Sequence, residues 1–127
     1  MAQTDESSLS SREAVITQLC SAQKLERDKG ITSLQHFIST GNEKEIWALY
    51  NSCLNLARSP DTPWESKLGA LMGIRAIISN YKGTLMVCDF QSLTQEVREV
   101  ALDLLVHPEV RVRIAAGEKV FIGCLIM

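Results

Sequence analysis

Two stretches decide how this chain folds: SKLGALMGI at Ser66–Ile74 and VRIAAGEKV at Val112–Val120, with a fainter echo, DKGITSLQH, at Asp28–His36. Each places a basic residue (Lys29, Lys67, Arg113) just inside a predicted helix, and the two better copies follow it with small residues and a branched apolar one. The basic residues are 38 and 46 positions apart, the period at which pairs of helices stack on one another. One helical pair buries too little apolar surface alone, so the repeat predicts an all-α chain of stacked hairpins. The expected architecture is a short right-handed α-solenoid of about three antiparallel helical hairpins.

The segments around these copies carry the matching punctuation. In SPDTP (Ser59–Pro63) Thr62 can cap a helix, Pro63 suits the first turn and Glu65 completes a capping box. The helix it opens runs to about Ser79 and is apolar over most of its surface, which predicts packing on several sides. Upstream, Asn42 with Glu45 opens a helix whose inward stripe is Ile46, Trp47, Leu49, Tyr50, Cys53, Leu54, Leu56 and Ala57. Gly41 ends the preceding helix, about Leu25–Ser39. Ser10 with Glu13 starts a first helix to about Ala22, with Val15, Ile16 and Leu19 inward.

Downstream, Gly83 is a stop signal, and Thr84–Phe90 is open between a helical turn and an apolar connector. A fifth helix spans about Ser92–Val106 on Leu93, Val97, Val100, Ala101, Leu104 and Leu105, with Gln95, Glu96, Arg98, Glu99 and Asp103 toward water. Leu102 and Val106 fall off that stripe, implying contact on a second side. His107-Pro108 breaks the chain, and Pro108 opens a sixth helix through Val120. The hairpins are then Ser11–Ser39, Asn42–Ser79 and Ser92–Phe121. A disordered tail (residues 1–9) precedes the repeat domain (10–122), and an apolar tail (123–127) follows it.

A chain of 127 residues with 46% hydrophobic content fits one folded domain. The formal charge of −2, with 13 Lys and Arg in no run of three, argues against nucleic acid as the partner. The longest apolar stretch, Val120–Met127, is too short to span a bilayer. MAQTDESSLSS at the N-terminus is polar and acidic, unlike a signal or transit peptide, so the expected compartment is the cytoplasm. Cys20, Cys53, Cys88 and Cys124 form no CxxC or Cys/His cluster, which gives zinc no support. Their separations of 33, 35 and 36 residues follow the repeat, as small apolar fillers of equivalent layers would.

The second and third hairpins resemble HEAT repeats of the armadillo-like helical superfamily. In that family an acidic residue in the inter-helix turn precedes a basic residue of the second helix by six positions, as Asp61 precedes Lys67. The third copy keeps Arg113 but has His107 at the acidic position, and the first has Gln23 before Lys29. Cys53 occupies the place of the proline that often bends the first helix of a pair. Covering about residues 24–121, the resemblance implies protein–protein scaffolding along a curved surface and brings no catalytic residue. It also implies that turn carboxylates and helix-start cations pair between layers and set the stacking register.

No arrangement of catalytic groups stands out. His36 and His107 are the two histidines, and neither lies in a nucleophile elbow or beside a promising cysteine. There is no Walker loop or GxGxxG, and no cofactor or metal is expected. Arg75 falls among Trp64, Leu68, Leu71 and Ile78 on one helical stripe. It either meets a partner at a groove, snorkels past the layer edge or pairs with an internal carboxylate. The candidate partner-binding surface is therefore Trp64, Lys67, Leu71 and Arg75. Ser59-Pro60 is a proline-directed phosphorylation pattern, and Ser7–Ser11 is a second cluster of candidate sites.

The C-terminus departs from a plain solenoid. Its last four residues, Cys124–Met127, fit a C-a-a-X prenylation pattern with farnesyl as the expected lipid, although no polybasic stretch supplies a second membrane signal. Alternatively, Val120–Met127 continues the sixth helix toward a further repeat, which would make the chain the N-terminal segment or short form of a longer solenoid. It could equally be a self-associating face. The leading expectation is a non-enzymatic adaptor, and the alternative is a prenylated peripheral membrane protein. Cys124→Ser separates them by fractionation: the adaptor's distribution is unchanged, whereas a lipid-anchored chain leaves the membrane fraction.

Overall fold

The computed structural model describes residues 12–40, 43–80 and 87–117, the side chains of 43, 80 and 87–94 excepted. It is all-helical: α1 (residues 12–19), α2 (Lys24–Thr40), α3 (Glu43–Arg58), α4 (Trp64–Asn80), α5 (Val87–Leu104) and α6 (Val110–Ala116), with no strand among the described residues. The expected tail (1–9), the caps at Ser10, Gly41 and Asn42, the stop at Gly83 and the C-terminal segment with Cys124 lie outside the described residues. Among the described residues no helix is long and apolar enough to cross a membrane.

Helix α4 is the hub. It packs on α2, α3 and α6, while α5 packs on α3 and α6. Its sequence explains this position. Ala70, Leu71, Ile74 and Ile77 are buried on one stripe, and Gly69, Gly73 and Ala76 are buried on another. A helix apolar around most of its girth has to be enclosed. The stripe expected on α3 is inward throughout, with Ile46, Leu49, Tyr50, Cys53, Leu54 and Ala57 buried and Trp47 and Leu56 half-buried. Helix α5 turns Val97, Val100, Ala101 and Leu104 inward. Leu102 and Val106 are 52% and 81% exposed, so the second contact expected of them is not made among the described residues.

Polar contacts join the first helices of successive pairs. Arg12 of α1 pairs with Glu45 of α3 at 3.0 Å, and Arg58 of α3 lies 3.8 Å from Glu99 of α5. The Tyr50 hydroxyl donates to Glu96 Oε1 at 3.3 Å, so Glu96, expected to face water, is half-buried between α3 and α5. Helix α6 is described through Ala116, with Gly117 N–H donating to the carbonyls of Arg113 and Ile114, and the rest of the expected sixth helix, to Val120, lies outside the described residues.

The tightest packing surrounds the last residue of α1. A Cβ on Gly69 would overlap the Leu19 carbonyl oxygen, and one on Gly30 would stand 2.9 Å from Leu19 N. At Gly73 a Cβ would meet Cys53 Sγ at 2.9 Å and Leu19 Cδ1 at 3.3 Å. Gly69→Ala therefore forces backbone apart, and urea denaturation should show a loss of about 3 kcal/mol or more, at or beyond the upper end for overpacking. Gly117→Ala is the contrast. Its Cβ would find only ordinary contacts from 3.6 Å outward at φ −89°, so stability should hold or rise by about 0.4–1 kcal/mol.

Candidate partner-binding groove

The site begins with how each helical pair closes. The last carbonyls of a helix lack intrahelical donors and carry the negative end of its dipole, so a cation can satisfy them. In all three pairs a basic residue of the second helix reaches back to carbonyls of the closing turn, and in the second pair also to Ala57 in the last turn of α3. Arg27 Nη1 donates to Ser21 O at 2.9 Å. Lys67 Nζ donates to Ala57 O at 3.3 Å and to Ser59 O. Arg113 Nη1 donates to His107 O at 2.8 Å and Pro108 O at 2.9 Å.

These contacts revise two expectations. Lys67 is 7% exposed and turned toward the end of α3, so it does not line a partner surface. Its nitrogen meets carbonyl oxygens rather than the Asp61 carboxylate, and Asp61 itself is exposed. In the first pair the closing cation is Arg27, whereas Lys29 lies on the surface at 3.3 Å from Glu26. Ser59, the phosphorylation candidate, is half-buried, and its carbonyl is one of the two that hold Lys67. Cys124 lies outside the described residues.

Trp64, at the first position of α4, links the second helices. The Arg111 guanidinium of α6 lies 4.0 Å from its ring centroid, and that of Arg27 of α2 lies at 5.7 Å. Each such contact is worth about 0.5–2 kcal/mol, depending on desolvation. Arg111 is aimed by Glu109, whose Oε1 accepts from Arg111 Nε at 2.8 Å and from Arg111 N at 3.3 Å, the second bond capping α6. These bonds from Arg111 hold the Glu109 carboxyl below its ordinary pKa. Glu109 N–H in turn donates to His107 Nδ1 at 3.0 Å.

Beside this Trp64 joint lies a groove of about 380 Å³ between α2, α4 and α6. Leu68, Leu71, Met72, Ile114 and Ala115 supply its apolar lining, and Lys24, Arg27, Arg75 and Arg111 supply four cations. None of the lining residues is acidic. Of the four surface residues expected from the sequence, Leu71 and Arg75 line the groove, Trp64 adjoins it through Arg27 and Arg111, and Lys67 stands apart. Lys24, Arg27, Arg111 and Ile114 were not expected there. They come from helices far apart in sequence, and the periodicity of a single helix carries no signal of such a meeting.

A second hollow, of about 610 Å³, lies between α1 and α2, with Gln18, Thr32, Ser33, His36 and Phe37 among its lining and no acid, Lys or Arg in it. Burial pushes the Cys53 thiol up to about 12, the nearby Cys20 adding to the effect. The Cys20 thiol is also raised by burial, partly offset by a hydrogen bond with Ser66. Neither is tuned toward the thiolate that nucleophilic chemistry uses. Among the described residues no cluster of three or more His, Cys, Asp or Glu is placed to hold a metal ion. Comparisons with family models, with curated proteins and with solved structures found no match.

Lys67→Met tests the closing contact. It removes the donor from two carbonyls at a helix end and should lower stability at neutral pH by about 1–3 kcal/mol. Burial draws the folded-state pKa of Lys67 below its ordinary 10.5. Between those two values the unfolded chain binds more protons, so this group's contribution to stability rises with pH through that window. The gap between wild type and variant should accordingly widen as pH approaches 10.5. A narrowing gap would mean that the carbonyls hold the ammonium charged more strongly than burial opposes it.

Proposed function

We propose that the chain is a short right-handed α-solenoid of three antiparallel hairpins, similar to HEAT repeats, acting in the cytoplasm as a non-enzymatic protein–protein scaffold. The groove between α2, α4 and α6 is its binding surface. The observation that carries this reading is the composition of that groove, in which apolar side chains are interleaved with four cations and no acid. Apolar surface rimmed by polar groups is what protein-binding sites present to solvent. Ile114, 63% exposed, gives the groove a large apolar side chain in contact with water.

The packing of α2 on α4 on α6, and of α3 on α5, supports the stacked-hairpin part of the reading. The closing cation found once in each pair supports it too, since a repeated structural unit should repeat its backbone solution. Asp61, the acidic member of the HEAT-like pair, is not the partner of Lys67 here, so this support rests on the cations alone.

Co-precipitation from lysate tests the function. Tagged wild type should recover a reproducible set of proteins, and Ile114→Glu should deplete that set several-fold. An exposed position tolerates the change within about 0.5 kcal/mol, so the unfolding midpoint should barely move. Recovery of chaperones alone, or of an identical set by both chains, would remove the groove as the scaffold's surface.

A further inference from the structure

We infer that the groove takes a short protein segment in which acidic side chains flank bulky apolar ones. This rests on the scaffold reading above and narrows its partner to one chemistry. The argument is charge complementarity over an apolar floor. Lys24, Arg27, Arg75 and Arg111 converge from three helices on a surface floored by Leu71 and Ile114, in a chain whose formal charge is −2. Two acids stand beside this set, Asp28 3.0 Å from Lys24 and Glu109 2.8 Å from Arg111, but the lining itself carries cations alone, a directional feature that favours acids at this face.

Lys24, Arg27 and Arg111 keep donors for a ligand. Lys24 is 81% exposed, and its pair with Asp28 is a surface contact of the kind that contributes little. Arg111 gives its Nε to Glu109 and Arg27 gives one Nη1 to Ser21 O. A guanidinium has five N–H donors, so each retains others. A carboxylate is their geometric match. A groove of about 380 Å³ has room for a few side chains and not for a folded domain, which points to a linear segment.

Two other anionic partners fit less well. Single-stranded nucleic acid needs aromatic faces on which bases stack, and the Trp64 ring already has Arg111 over it at 4.0 Å. An anionic membrane surface is flat, whereas these cations surround a concavity.

The test is selection of a displayed random-peptide library on the full chain, run beside Lys24→Glu and Arg75→Glu. Lys24→Glu sits at an exposed position and preserves folding even if Arg75→Glu does not, which thermal unfolding of both will show. Peptides enriched on wild type should carry Glu or Asp next to Leu, Ile, Phe or Met. Fluorescence polarisation of a selected peptide should show about tenfold weaker binding to a charge-reversed chain, and affinity that falls as salt is added. Several results overturn the proposal: enrichment without an acidic preference, binding indifferent to both charge reversals, or anionic vesicles or single-stranded DNA outcompeting every selected peptide. If lysate partners are still captured in those cases, the scaffold reading stands and only the acidic–apolar chemistry falls. If neither library nor lysate yields a binder, both fall together.

Discussion

The structure depends on how closely the end of α1 approaches α4. The Leu19 peptide lies between Gly30 of α2 and Gly69 of α4, and the Leu19 side chain reaches Gly73 one turn further on. At 0% and 1% exposure, Leu34 and Leu19 are among the most deeply buried residues of the molecule. Gly69 and Gly73 are four residues apart and so share a face, giving α4 a strip without side chains on which another backbone can rest. That contact brings the first pair of helices onto the hub. The position of α2, and with it that of Arg27 and Lys24, follows.

The cations divide between two tasks according to where they fall along their helices. Those near the closing turns meet carbonyls: Arg27 with Ser21, Lys67 with Ala57 and Ser59, Arg113 with His107 and Pro108. Burying Lys67 at 7% exposure is tolerable because its donors meet oxygen there, and an uncompensated buried ammonium would not be. Lys24, Arg75 and Arg111 line the groove, and Arg27 serves both, its Nη1 at the turn and its guanidinium 5.7 Å from the Trp64 ring. Trp64 is thus a joint between the second helices and a neighbour of the proposed binding surface at once.

Local signals were strong wherever turn chemistry and periodicity coincided. SPDTP placed the start of α4 at Pro63 against an observed Trp64, and the eight-residue stripe of α3 lies inward as its spacing predicts. The sixth helix begins at Val110, two residues after the Pro108 that was expected to open it, and its expected run beyond Gly117 lies outside the described residues. What the residues could not reveal singly was the partner of each cation. The acid six positions upstream suggested a carboxylate for Lys67, but a helix end offers carbonyls at the same reach and without a second charge to desolvate. Arg111 was not singled out in the sequence at all. Its role depends on Trp64, 47 positions earlier, and no periodicity within one helix encodes that distance.

Glu109 governs how the groove could respond to an acidic ligand. It caps α6 through Arg111 N–H and holds the Arg111 side chain over Trp64 through Nε, so one carboxylate performs a backbone task and a side-chain task. A ligand carboxylate taking guanidinium donors would compete with the second task alone and leave the cap in place. The side-chain pair is largely exposed on the Arg111 side, at 57%, so loosening it costs little. The cation–π contact would then keep Arg111 in position while its donors change partner, because stacking uses the face of the guanidinium and hydrogen bonding uses its edge. On the proposed reading, a groove built this way would keep its shape when occupied, with Arg27 and Arg111 already held beside Trp64 rather than brought there by a rearrangement of the helices.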